Sequence, residues 1–553
     1  MNGGAPMSSR RNGVLIESRV ARLPEAQAAL VRSAAVIGNV MPTWLFERIT
    51  GLTADQPSVR QLAELDLLFQ GEQPDTLRFK HAITRDVIYD SVGLHRRKAL
   101  HLQIAQALLE HDDGANPGAD DAEALAYHFE AAGVYDEAAR FAEQAGNKAM
   151  AVSALDRAQA QYRAALAALD RCPASPLVAQ RWCVVAQRLG LACVFNPSRS
   201  DLPLFRRAVA LAQADGNAVA IARATYWLGY IHYALGDARE AVLHSELALL
   251  AAEQAGDDLL AVQVRATLGQ ARAAAAQYGA ALTLLDEAID IKKAHRKGTG
   301  QAVGLAYSLA ARGTVLGDRG QFKAAQHCFD EAMDVVHGTR HEVLASVHGL
   351  RAAVLLWQGQ WQAASHSADE ACRIGAQVRS LFTLSMGQAA GAYARWMLDA
   401  RPAAIEELQH ATDWLVPRGV TLFSSFNHGW LTDALACSGR QSEARAHAAQ
   451  ALRRWREHDL LGVAMACRAM ARLEAGQGHA IRTAGWLERA RRVASARESA
   501  HEFALNQLCD AELALQAGES ARAAPLARAA LDAFAALSMD WHRERATRLL
   551  ERV

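Results

Sequence analysis

Tyrosine recurs at positions 226, 230 and 233, a spacing of four and three that sets three phenols along one helix face. Tyr393 and Trp396 repeat the three-residue step farther along. Rings with a polar edge are favoured where a protein grips a partner, so these five are the candidate lining of a binding groove. The same spacing describes rings packed inside a helical hairpin, and that alternative stays open. His81 precedes Ala-Ile-Thr at the expected start of a helix, where it can cap or pack.

Catalytic patterns are missing. There is no HExxH helix and no GxSxG nucleophile elbow. His337 and His341, with Glu342, are four apart, but Gly338 and Thr339 between them read as a loop and not as a metal-binding helix. The His501-Glu502 dipeptide has no second histidine at helical spacing. Eight cysteines, at 172, 183, 193, 328, 372, 437, 467 and 509, form no CxxC pair and suit thiols in a reducing compartment. Glu488 with Arg491 and Arg492 reads as a solvated face. No enzyme, cofactor or metal is expected.

The elements that must position these residues are helices. Ala, Leu, Arg, Glu and Gln dominate, β-branched runs are scarce, and 13 prolines interrupt 553 residues. A hydrophobic fraction of 51% excludes a disordered chain, and a mean hydropathy of -0.05 argues against a membrane protein. With 59 basic and 59 acidic residues, there is no cationic excess for phosphate neutralisation. No signal-like or membrane-spanning apolar run occurs, so a cytoplasmic location is expected.

One pattern recurs about every 40 residues: a helix ending in a small residue and Gly, a turn, then a helix with Ala at fixed offsets. Its clearest copy runs from Ala306 to Val336, with Gly313 in mid-helix, Gly320 at the turn, then Phe322, Ala325, Phe329 and Ala332. The frame fits Gly229, Gly236, Ala241 and Ala248, and again Gly269, Tyr278, Ala281, Leu285 and Ala288. Further turns fall at Gly359, Asp399, Gly439, Gly478 and Gly518. Each unit is a pair of antiparallel helices that cannot bury its apolar stripe alone, so the units must stack. They resemble the tetratricopeptide motif, whose usual period is ~34. The longer period here implies longer helices or wider loops.

From Leu23 to Val92 the repeat is absent. Pro24 opens a helix with Ala26, Leu30, Ala34 and Ile37 on one face, followed by short helices around Trp44–Ile49 and Val59–Leu68. The turn-rich stretch Gly71–Asp75 separates Leu68-Phe69 from Leu77–Phe79, the expected strands of a hairpin, and a helix begins near His81. Three helices and a two-stranded wing make a winged-helix domain. The third helix carries Glu64 and Asp66 against Arg60 alone, poor chemistry for a DNA groove.

Arg19–Pro24 (RVARLP), Ala34–Gly38 (AAVIG), Leu77–Ala82 (LRFKHA) and Asp86–Tyr89 (DVIY) resemble the winged-helix segment of bacterial signal-transduction ATPases with numerous domains. Tyr127–Gly133 (YHFEAAG) and Gln159–Tyr162 (QAQY) resemble the helical segment that follows it. That family places a P-loop ATPase ahead of the winged helix and a tetratricopeptide-like sensor behind it. It includes large transcriptional activators and proteins described as adenylate or guanylate cyclases. The resemblance implies that His81 matches a histidine that contacts the bound diphosphate, a role requiring a P-loop supplied by another chain. No G-x-x-x-x-G-K-[ST] is present, so the chain resembles the back half of the family alone.

The expectation is an all-α α-solenoid of tetratricopeptide-like hairpins preceded by a small winged-helix domain. The boundaries are a tail at 1–20, the winged helix at 21–95, a helical connector at 96–174 and the solenoid at 175–553. Its expected work is non-catalytic: binding a protein or peptide segment, or a small effector, on the concave face in signal transduction or transcriptional regulation. Two alternatives remain, the sensor half of a signalling ATPase or cyclase and a winged-helix DNA-binding regulator. No membrane partner is expected.

Overall fold

The computed structural model describes residues 16–111, 118–152, 154–194, 196–294, 299–338, 342–377, 380–414 and 416–553. It divides into two units, Met1–Val185 and Ala186–Val553.

The first unit opens with α1 (Glu25–Ile37), β1 (Val40–Pro42), α2 (Thr43–Thr50) and α3 (Pro57–Glu64). The hairpin β2 (Leu68–Gln70) and β3 (Thr76–Phe79) and the helix α4 (Ala82–Ser91) follow. Both expected strands are present, and a third, β1, joins them in an antiparallel sheet of order β1-β3-β2, with Val40 opposite Arg78 and Leu68 opposite Phe79. Three residues ending in proline carry no alternation from which a strand could be read, and an edge position tolerates Pro42. Pro24 is the N-cap of α1 and not its first residue. The helix α3 stops at Glu64, short of Leu68, because Asp66 turns to a positive φ of 57° and meets Lys80 Nζ at 2.6 Å. Val31, Met41, Phe46, Leu62 and Phe79 fill the core. Helices α5 (Leu94–His111), α6 (Ala119–Ala132), α7 (Tyr135–Ala151) and α8 (Leu155–Leu169) follow, with Phe129 stacked on Phe141 at 5.6 Å.

Helix α9 (Pro176–Ala192) contains the point of division. The second unit continues with α10 (Leu202–Asp215) and then a regular array of helical hairpins. They are α11 (Ala218–Leu235) with α12 (Ala238–Gln254), α13 (Asp258–Ala274) with α14 (Tyr278–Ala294), α15 (Thr299–Asp318) with α16 (Phe322–Val335), and α17 (Val343–Gln358) with α18 (Trp361–Gln377). Next come α19 (Leu381–Asp399) with α20 (Pro402–Trp414), α21 (Ser424–Cys437) with α22 (Gln441–Arg456), α23 (Val463–Gly476) with α24 (Ala480–Ala496), and α25 (Ala500–Gln516) with α26 (Ser520–Ala536). Helix α27 (Asp540–Leu550) follows α26.

The repeat has a simple physical basis. Within hairpins the turn residues are Gly236, Ala276, Gly320, Gly359, Ala400, Gly439, Gly478 and Gly518, all left-handed and about 40 residues apart. The turn expected at Asp399 therefore falls on Ala400. Every second helix but α24, which has Thr483 with Ala490, carries two buried alanines seven apart, such as Ala241 with Ala248, Ala325 with Ala332 and Ala523 with Ala530. With no side chain beyond a methyl at the paired alanines, the two helices of those hairpins approach closely. First helices pack on the first helices of the next hairpin from α11 to α25, so they form one continuous face.

That face closes on itself. Thr421 N donates to Leu235 O at 2.8 Å, and Arg454 Nη2 donates to Gly236 O at 3.1 Å. His501 Nδ1 lies 3.0 Å from Asp318 O, and Gln358 Nε2 donates to Ser538 O at 3.2 Å. The partners at Leu235, Asp318 and Gln358 are 186, 183 and 180 residues apart in sequence. Turns within the earlier hairpins thus dock on turns between the later ones at a nearly constant offset. A Cβ on Gly320 would stand 2.8 Å from Leu537, and one on Gly359 would stand 2.8 Å from His542. Glycine is needed there for close approach as well as for φ.

Candidate functional site

The closure decides where the expected groove residues lie. Tyr226 and Tyr233 are buried, and Tyr230 is half-buried between them, at 6.2 and 6.1 Å between ring centres. Gln263 Nε2 donates to the Tyr226 hydroxyl at 2.9 Å, and the hydroxyls of Tyr233 and Tyr307 meet at 3.1 Å. Leu422 and Phe423, from the far side of the closure, pack on Tyr233. Tyr393 is also buried, donates to Asp433 Oδ2 at 2.9 Å and stacks on Trp430 at 5.6 Å, while Trp396 is half-buried against the main core. The five therefore form two separate packed groups with little open surface. Burial pushes the Tyr230, Tyr233 and Tyr393 phenols well above their ordinary range.

His81 is the exposed N-cap residue of α4, and its side chain makes no cap bond. His337 is exposed, and His341 lies outside the described residues. Among the described residues His232, Glu240 and His244 could hold a metal. Asp237 Oδ2 already engages His232 Nδ1 at 3.1 Å, and His244 Nε2 is 3.8 Å from Glu240, wider than the about 3.4 Å between ligands of a tetrahedral zinc.

A buried ionic cluster, not legible in the sequence, lies where the array closes. The side chains of Arg497 and Asp318 are 0% exposed. Arg497 Nε donates to Asp318 Oδ2 at 2.9 Å and Nη2 donates to Oδ1, a bidentate pair. Arg497 Nη1 also donates to Leu461 O at 3.1 Å and to Glu502 Oε1 at 3.4 Å. Arg468 donates to Glu502 and, at 2.9 Å, to Asn506 Oδ1, while the Tyr278 hydroxyl donates to Asp318. Two cations face two anions, so the cluster is balanced. Burial works against Glu502 ionising, but Arg468 and Arg497 outweigh it and hold the carboxyl at about 2. Burial depresses His501 below its ordinary value, against the pull of Glu502 and Asp318. Asp318 and Arg497 are 179 residues apart, and no local pattern links them.

Farther along, the first-helix face opens. Asp433, Arg472 and Glu512 occupy equivalent places on α21, α23 and α25, six residues before the turns at Gly439, Gly478 and Gly518. They form a ladder: Arg472 lies 3.7 Å from Asp433 and 3.2 Å from Glu512, and Arg545 lies 2.6 Å from Glu512. Burial opposes ionisation of Glu512, yet Arg472 and Arg545 keep its carboxyl below the usual range. A cavity of about 690 Å³ opens beside the ladder, lined by Arg472, Glu512, Trp541, Arg545, Arg548 and Arg552, among others. Aligning the repeats by their turns is the one sequence operation that reveals this ladder.

Among solved structures, the chain is similar to a Signal Transduction ATPase with Numerous Domains (STAND) protein with a tetratricopeptide repeat sensor from Pyrococcus horikoshii. The TM-score is 0.39 at 11% identity, over 82% of this chain and 66% of that one. It is also similar to a Rap protein complexed with Competence and Sporulation Factor, with a TM-score of 0.38 at 12% identity, over 73% of this chain and 99% of that one. The chain thus spans just under two thirds of the STAND protein's length. No protein-family model matches the sequence, and no curated protein matches it.

Proposed function

We propose that the chain is a non-catalytic interaction module in bacterial signalling or transcriptional regulation that holds a partner's acidic peptide segment on the open face of α23, α25 and α27. The cavity beside Glu512 carries this reading. Four arginines and one glutamate line it, and neither Arg548 nor Arg552 forms an ion pair among the described residues. Trp541 offers an apolar seat beside those cations, the pairing of aromatic anchor and arginine found at binding hot spots. The helices exist before the partner arrives, so ordering costs fall on the segment.

The resemblance of residues 19–165 to the signalling ATPases, and the helix–strand order of the first unit, support its role as a winged helix heading a sensor. The exposed side of α3 presents Arg60 beside Gln61 and Glu64, which speaks against duplex binding. The test is a fluorescence-anisotropy titration of the full chain against peptides pairing Asp/Glu runs with one aromatic residue. Arg548→Glu with Arg552→Glu is expected to weaken the best peptide at least about tenfold, or 1.4 kcal/mol. Binding that ignores the double reversal refutes the site.

A further inference from the structure

We infer that the gap in the self-contact at Ala276 is a binding site for a small aromatic anion, separate from the face described above. Three of the four docked turns, at Gly236, Gly320 and Gly359, meet the opposite layer so closely that an added Cβ would collide with Leu422, Leu537 and His542. At the fourth the turn residue is Ala276, and the layers meet through an apolar cluster and leave open space beside it. Between them is a cavity of about 610 Å³, lined by Ala276, Leu452, Trp455, Arg456, His458 and Arg489, among others. That volume falls within the range of small-molecule sites.

The walls and the rim differ in chemistry. Ala276, Leu452, Trp455 and Leu460 line the gap and belong to one apolar cluster with Val463, Cys467 and Val493 behind them. The rim is cationic. Arg456 and Arg489 line it, Arg489 stands 4.8 Å over the Trp486 ring, and behind the lining Arg492 stands 5.9 Å over Trp455. None of these three forms an ion pair among the described residues. Other arginines of the same unit are neutralised in place: Arg272 by Glu246, Arg312 by Asp286 and Arg445 by Glu474. Arg456 lies in the last turn of α22, where a cation complements the helix dipole. Arg489 sits in the middle of α24 and has no such reason to be there. Both lips, Ala276 at φ 57° and His458 at φ 66°, hold the left-handed conformation without being glycine. The equivalent turns at Ala400, Glu498 and Ser538 hold it too, so the conformation belongs to the repeat.

A ligand that uses all of this is a planar ring carrying a carboxylate or phosphate. The ring lies on Trp455 and Leu452, and the anion reaches Arg489 and Arg456, whose forked donors match two of its oxygens. The probe is 1-naphthyl phosphate, titrated into the full chain by calorimetry and tryptophan fluorescence, with inorganic phosphate and 1-naphthol as partial ligands. The expected result is saturable quenching with Kd below about 1 mM. Each partial ligand should bind at least about tenfold more weakly, since each lacks half of the contacts. Arg489→Met should weaken the ester by at least about tenfold, while Arg548→Met, at the other cavity, leaves it unchanged. Ligand protection of residues 275–277 and 456–460 from hydrogen exchange reads the site in the unaltered protein. The proposal is overturned by no saturation at about 1 mM, by naphthol binding as well as its phosphate, or by protection located elsewhere.

Discussion

Replacing Arg497 by Met keeps most of the apolar stem and removes one charge where the array closes on itself. Asp318 and Glu502 would then share the interior with Arg468 as the remaining cation of the cluster. Both carboxylates are at most 2% exposed, so water cannot replace the lost guanidinium. Breaking such a pair costs about 3–5 kcal/mol, because a buried charge is left uncompensated. Tyr278 still donates to Asp318, which favours the lower end of that range. The assay is urea unfolding at neutral pH, with hydrogen exchange at residues 318–321 and 497–501 to locate the loosened region. Asp318→Leu combined with Arg497→Met should recover most of the loss, since a balanced pair exchanged for apolar side chains is nearly neutral. Lower pH should also shrink the deficit of the single variant, because an unpaired buried carboxyl takes up a proton more readily. A loss below about 1 kcal/mol, or a double variant as weak as the sum of its singles, would refute the coupling across the closure.

Two further outcomes test other parts of the structure. Ala400 is exposed with φ 53°, so Ala400→Gly should raise stability by about 1 kcal/mol, whereas Gly359→Ala should lower it because the methyl meets His542; thermal melts distinguish the two. In the first unit His101 Nδ1 and His128 Nδ1 are 2.8 Å apart, and burial depresses the two rings to about 4 and about 3. Both bind protons less readily when folded than when unfolded. Stability contributed there is present above the ordinary value of 6.5 and falls as the pH drops from 6.5 towards 4. Exchange protection of α5 and α6, normalised to unfolded-chain rates, should decline across that window, and a flat profile counts against the buried pair.

The hairpins were legible because their causes are local. Alanines seven apart and a left-handed residue every 40 state the packing of neighbouring helices. Strand β1 was not, since only pairing with β3 makes Val40–Pro42 a strand. The phenols at 226, 230 and 233 were identified by type and face, but their exposure depended on Leu422 and Phe423, nearly two hundred positions away. For the same reason His501-Glu502 looked like an isolated dipeptide, and Arg497 had no visible partner. Contacts at such separations leave no periodic trace in one sequence.

The constant offset of the closure also bears on how this unit folds. An open array of hairpins can nucleate anywhere and grow by nearest-neighbour steps, with its stability a sum of local terms. Here each of several hairpins must also find a partner about 180 positions away, which raises contact order and slows the final docking. Losing α27 would strip Gly359 and Trp361 of their neighbours Trp541 and His542, so damage at α27 is felt in the middle of the array. The later hairpins of the array should therefore melt together with the earlier ones they touch, as a single cooperative block and not from the ends inward.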